Sequence, residues 1–122
     1  MTTIAKLDSF ALDCADPRGV AEFYSALTGL EIERDDGEWV QLVRPDGGAT
    51  LAFQRALGHQ PPVWPSDDRP QQAHIDLEVD DLDDGESTVL ALGGRKAETQ
   101  PSPDSFRVYL DPAGHPFCLV LA

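Results

Sequence analysis

Apolar and polar side chains alternate through residues 7–14, with Phe10, Leu12 and Cys14 on one face and Ser9, Ala11 and Asp13 on the other. A period of two predicts a strand with one buried face. Asp16-Pro17 follows, a helix-capping residue and then a proline suited to a first helical turn. Val20, Phe23, Tyr24, Leu27 and Leu30 recur at helical spacing, and Gly29 supplies the stop. Three short strands are predicted next, at Glu31–Arg34, Trp39–Arg44 and Thr50–Gln54. Asp35-Asp36-Gly37 and Pro45-Asp46-Gly47-Gly48 mark the turns between them.

Residues 55–71 break the pattern, with Gly58, prolines 61, 62, 65 and 70, and Trp64 as the one large apolar side chain. This stretch reads as a linker or lid between one module at 5–54 and another at 72–122. The alternation then restarts over 73–79, with Ile75, Leu77 and Val79 on one face and His74, Asp76 and Glu78 on the other. Asp80 or Asp81 caps a second helix that ends near Leu92-Gly93-Gly94. Strands are predicted at Arg95–Thr99, Phe106–Leu110 and Pro116–Leu121. Asp111-Pro112-Ala113-Gly114 forms the last turn, with Gly114 at the position needing positive φ, and His115 faces solvent.

The two halves superimpose as sequence. At an offset of 65, Phe10 falls on Ile75, Leu12 on Leu77, Asp16 on Asp81, Leu27 on Leu92 and Gly29 on Gly94. At 66, Leu51 falls on Phe117, Ala52 on Cys118 and Phe53 on Leu119. Matched core faces, caps and stops together indicate a duplicated unit. The expected fold is α+β: two βαβββ modules in a single domain.

If the apolar faces pack on the helices, the opposite faces form the open surface. That surface carries Ser9, Ala11, Asp13, Ala52 and Gln54 from the first half, and His74, Asp76, Glu78, Cys118 and Val120 from the second. The ligand-binding candidates are Ser9, Asp13, Gln54, Trp64, His74, Asp76 and Cys118. His74 is the candidate catalytic residue, since an imidazole moves protons near neutral pH. A Cys118–His74 nucleophile pair is a further option, although a buried cysteine is usually just a small hydrophobe. Trp39 and Phe53 are either apolar walls for a flat ligand or core; Trp64 is the better lid or dimer contact.

The segments Leu12-Asp-Cys-Ala-Asp-Pro-Arg-Gly-Val-Ala-Glu-Phe-Tyr, Phe53-Gln-Arg, His74-Ile-Asp-Leu-Glu-Val-Asp-Asp and Leu110-Asp-Pro-Ala-Gly-His-Pro-Phe span nearly the whole chain. In this order and spacing they resemble the vicinal oxygen chelate superfamily, which includes glyoxalase I, bleomycin-resistance proteins and extradiol dioxygenases. The closest likeness is to its small glyoxalase-like domains. The resemblance implies sheets that curl around a shared concave pocket, and a homodimer. It also implies four metal-ligand positions, on the first and fourth strands of each module: Ser9, Ala52, His74 and Cys118. Only His74 keeps the ligand type of the catalytic members, so the set is degenerate and no cofactor is expected.

Charge narrows the partners. Nine Lys and Arg oppose 22 Asp and Glu, for a formal net charge of −13. Such a chain should repel nucleic acid and anionic membranes and favour cationic ligands. There is no apolar run of the ~20 residues a membrane span needs. Cys14 and Cys118 are expected as free thiols in the cytoplasm. The sequence thus points first to a small-molecule-binding protein that sequesters a cationic or aromatic compound without an intact metal site. A second reading is a lyase, isomerase or dioxygenase using His74 with a metal or as acid and base. A third is a partner-binding domain with a vestigial pocket.

Overall fold

The computed structural model describes residues 3–122. These fall into two compact units that divide between His59 and Gln60. The first unit runs β1 (Ser9–Cys14), α1 (Pro17–Thr28), β2 (Glu31–Asp35), β3 (Trp39–Val43) and β4 (Thr50–Arg55). The second repeats it as β5 (Ile75–Val79), α2 (Leu82–Ala91), β6 (Arg95–Lys96), β7 (Phe106–Leu110) and β8 (Pro116–Leu121). The fold is α+β, with two four-stranded mixed sheets ordered β1-β4-β3-β2 and β5-β8-β7-β6. In each, the first and last strands of the unit pair in parallel and the remaining pairs are antiparallel.

The helix ends follow the local chemistry. The Asp16 carboxylate accepts from Gly19 N–H at 3.1 Å, and the Asp81 carboxylate from Asp84 N–H at 2.9 Å. Each satisfies a donor that has no partner within its helix. Gly29 closes α1 in the left-handed region, at φ 79°.

In the first unit α1 buries Val20, Ala21, Phe23 and Tyr24. The core also takes Leu12 and Cys14 of β1, Val40 and Leu42 of β3, and Phe53 of β4. Phe53 is therefore core and not a ligand wall. Trp39 is half-buried, its indole N–H donating to Gln41 Oε1 at 2.9 Å. Phe10 departs from its expected burial: it remains 41% exposed. In the second unit Val89, Tyr109, Phe117 and Leu119 are fully buried. Tyr109 donates its hydroxyl to Glu86 at 2.9 Å. Lys96, 3.0 Å from that carboxylate, chiefly holds it below the usual carboxylate range.

β1 and β5 each begin two residues after their alternation does, at Ser9 and Ile75, and β6 is also shorter than its pattern. β6 ends at Lys96 rather than Thr99, because a side chain replaces its backbone. Gln100 Oε1 accepts from Val108 N–H at 2.9 Å, and its Nε2 donates to the carbonyls of Val108 and Ala97 at 2.7 and 2.9 Å. An amide side chain matches the donor and acceptor of a peptide group, so the edge of β7 stays satisfied without further ladder.

Candidate functional site

The register of β5 on β8 builds the site. Asp76 pairs directly with Cys118 across the parallel ladder. Side chains at paired positions share a face, and His74, the residue just before β5, comes close to both. The result is a cluster of His74, Asp76 and Cys118 whose ligating atoms all lie within 4.8 Å of one another. His74 Nε2 stands 3.2 Å from Asp76 Oδ1, with both side chains about half exposed, at 42% and 54%.

Cys118 is different in kind. It is 7% exposed and packs with Ala97 and Val108, and Trp64, Phe106 and Val120 lie against that cluster. The same face is thus apolar at Cys118 and polar at its β5 edge. Burial, reinforced by the negative charge and hydrogen bond of Asp76, pushes the Cys118 thiol up to about 11. A thiol so held stays protonated at neutral pH, which removes the basis for a Cys–His nucleophile pair.

Trp64 reaches this face on a loop that is tied to itself. Val63 N–H donates to the Arg69 carbonyl at 2.7 Å, and Arg69 donates to the Pro61 carbonyl at 3.0 Å and to Gln60 Oε1 at 3.3 Å. The expected lid residue therefore packs on the second sheet, on the apolar patch beside His74 and Asp76. The far end of β8 is set by the turn at Asp111, which is 1% exposed. Its carboxylate accepts from the N–H groups of Ala113 and His115, at 2.9 and 3.0 Å. His115 is half-buried in that turn rather than fully solvent-facing.

The other sequence candidates lie in the first unit. Ser9, Asp13 and Gln54 stand on the face of the first sheet that carries Ala11 and Ala52. Ser9 pairs with Thr50, and Asp13 with Gln54. Ala52 is fully buried. On the same sheet a cleft of about 320 Å³ is lined by Lys6, Asp8, Glu33, Gln41, Arg44 and Thr50, among others. Its charges are mixed, and it includes none of the residues singled out from the sequence.

The four positions equated with metal ligands do not form a four-ligand centre. Ala52 has no donor atom, and the neutral hydroxyl of Ser9 is a poor one. The parallel register does bring a carboxylate outside those four positions, that of Asp76, beside Cys118. Ala97, Val108 and Phe106 were also missed as lining residues. The alternation of Phe106 and Val108 against Tyr109 was visible, but which face met Cys118 depended on the β7–β8 register.

Neither cysteine forms a disulfide, and both are buried. With Cys14 at 0% exposure and the Cys118 thiol raised, the native protein should react slowly with a chromogenic disulfide reagent at neutral pH. Both thiols should react at once in denaturant. Rapid native labelling that survives Cys14→Ser would mean that Cys118 is open and ionised.

A glyoxalase-like domain family model matches residues 9–120. Solved structures with similar folds include a glyoxalase/bleomycin resistance protein/dioxygenase family enzyme from Burkholderia phytofirmans PsJN. That match has TM-score 0.72 and 16% identity over 96% of this chain and 98% of that one. A possible glyoxalase from Bacillus cereus matches with TM-score 0.70 and 15% identity, covering 97% and 99% of the two chains. A glyoxalase/dioxygenase from Nostoc punctiforme matches with TM-score 0.68 and 18% identity, covering 99% and 97%. At these identities the likeness concerns the fold. No curated protein matches the sequence.

Proposed function

The chain belongs to the glyoxalase-like domain family, and on that footing we propose that it binds a small cationic or aromatic molecule on the open face of its second sheet. The observation that carries this reading is Trp64 lying on the Ala97–Val108–Cys118 patch, with the exposed His74–Asp76 pair at the edge of the same face. An aromatic wall over an apolar floor favours a flat guest. A carboxylate at the rim favours a positive group on it, as does cation–π attraction to the indole. The formal charge of −13 raises the local concentration of such guests. The reading does not use the four-position metal centre of the catalytic members, for which Ser9 and Ala52 are unsuited.

This reading takes the protein to be a cytoplasmic homodimer with neither nucleic acid nor membrane as partner. Its acidity supports the first exclusion, and among the described residues no helix is long and apolar enough to cross a membrane. The His74–Asp76 contact favours a second reading, acid–base catalysis of the lyase, isomerase or dioxygenase type. A carboxylate at 3.2 Å orients the imidazole.

A thermal-shift panel of aromatic amines, aliphatic amines and neutral aromatics tests the proposal. A guest at 100 times its Kd stabilises the native state by about 2.7 kcal/mol. Aromatic amines should raise Tm by several degrees, and Trp64→Ala or Asp76→Asn should remove most of the shift. A panel without shifts, or shifts unchanged in both variants, would reject it. His74→Asn should keep binding if the protein only sequesters, and abolish turnover if it is an enzyme.

A further inference from the structure

We infer that the cleft on the first sheet is a second binding site, which takes a free α-amino acid as its zwitterion. The inference goes beyond the proposed function: it concerns another unit, another sheet and another class of guest.

Its ground is the set of polar groups that the strands bring to one place. β2 carries a bulge, since Ile32 pairs with Leu42 and Arg34 with Gln41, which leaves Glu33 as an extra residue. A bulge re-aims the side chains around it, and Glu33 lines the cleft. Gln41 lines it too. Its Oε1 accepts from the Trp39 indole at 2.9 Å, which leaves its NH2 group to donate. Lys6 and Asp8 enter from the segment before β1, which is held by Thr50 N–H donating to the Asp8 carbonyl at 3.2 Å. Thr50 itself is only 9% exposed and lines the cleft, and its hydroxyl oxygen is buried without a hydrogen-bond partner among the described residues. Folded proteins pair nearly all such groups, so an unpaired hydroxyl beside a cleft points to a partner supplied by a guest.

Charge selects the guest. Arg44 is already committed: it lies 2.6 Å from Asp46 and donates to the Ala49 carbonyl at 3.2 Å. Lys6, Asp8 and Glu33 form no ion pair among the described residues. The uncommitted groups are therefore three donors, on Lys6, Gln41 and Thr50, and two carboxylates, on Asp8 and Glu33. A simple anion would meet both carboxylates, and a simple cation would oppose Lys6 and leave the donors unused. A molecule with an ammonium and a carboxylate on one carbon finds partners for both. The volume of about 320 Å³ suits a guest of that size, being at the small end of the ~300–1,000 Å³ usual for ligand sites.

Isothermal titration calorimetry with the proteinogenic L-amino acids tests the inference. Each binder is compared with its decarboxylated amine and its deaminated acid. One amino acid per chain is expected, with both single-charge analogues more than about tenfold weaker, as for the loss of a charged hydrogen bond. Lys6→Met and Glu33→Gln, at exposed positions, should each weaken binding by a similar factor. Thr50→Val keeps the shape and removes the hydroxyl, so it should weaken binding several-fold without lowering Tm. Absence of binding by every amino acid, an analogue that binds as tightly as its parent, or unaltered affinity in these variants would overturn the inference. So would loss of amino-acid binding in Trp64→Ala or Asp76→Asn, which would move the guest to the second sheet. Aromatic-amine binding in Lys6→Met keeps the two claims apart, since it should be unchanged whether or not amino acids bind.

Discussion

Phe53→Ala is expected to lower the stability of the protein by about 3–5 kcal/mol, the range for removing a large aromatic side chain from a packed core. Phe53 is fully buried on β4, between β1 and β3. Its ring stacks on Tyr24 at 5.6 Å between centroids, and Tyr24 meets Phe23 edge-on at 5.1 Å. The substitution leaves a cavity at the junction of α1 and the sheet and breaks the aromatic run. Denaturant unfolding checks this as a large fall in midpoint with little change in slope. A loss below about 1 kcal/mol would mean that the helix repacks onto β4, contrary to the close packing expected of such cores. The same strand carries Ala52 and Gln54 on its opposite side, so the packing of Phe53 also fixes the other face of the first sheet.

Gly114→Ala is expected to cost about 2–5 kcal/mol, from two separate causes. Gly114 has φ 88°, where a side chain adds about 1–2 kcal/mol of strain. A Cβ there would also meet Pro61 Cβ at 2.5 Å, and overpacking of that kind costs about 1–3 kcal/mol. Gly93 separates the two terms. It has φ 98° but nothing within 4 Å of a Cβ, so Gly93→Ala should show the backbone cost alone. Equal losses at both positions in thermal unfolding would show that Pro61 yields freely. The larger expected loss at Gly114 ties the Trp64 loop to the Asp111 turn, since Pro61 begins the loop and Gly114 ends the turn.

Much of this fold was legible because its signals are local. Alternation placed β1 and β5, Asp16 and Asp81 marked the helix starts, and Asp111 with Gly114 marked the last turn. The repeat was legible because Leu12 and Leu77, or Ala52 and Cys118, occupy the same places in two copies of one unit. What escaped depends on contacts distant in sequence. Alternation assigned Phe10 to a face but could not show how much of that face is covered at the start of a strand. The pattern after Lys96 reads as strand, yet the amide of Gln100 takes over the edge of β7. Asp76 was recognised as a face residue, but its place beside Cys118 follows only from the parallel register, which pairs it with a residue 42 positions later. The docking of Trp64 was hidden for a similar reason, since a proline-rich segment carries no period from which to read its partner.

The central claim is that the second sheet's open face is the binding surface. Chemical-shift mapping of isotope-labelled protein with the strongest aromatic amine from the thermal panel tests it most directly. The account predicts that the Trp64 indole signal and the amides of His74, Asp76 and Val108 move together and saturate at one guest per chain. Movements confined to the first-unit cleft around Lys6, Gln41, Arg44 and Thr50, with the Trp64 indole unmoved, would contradict it.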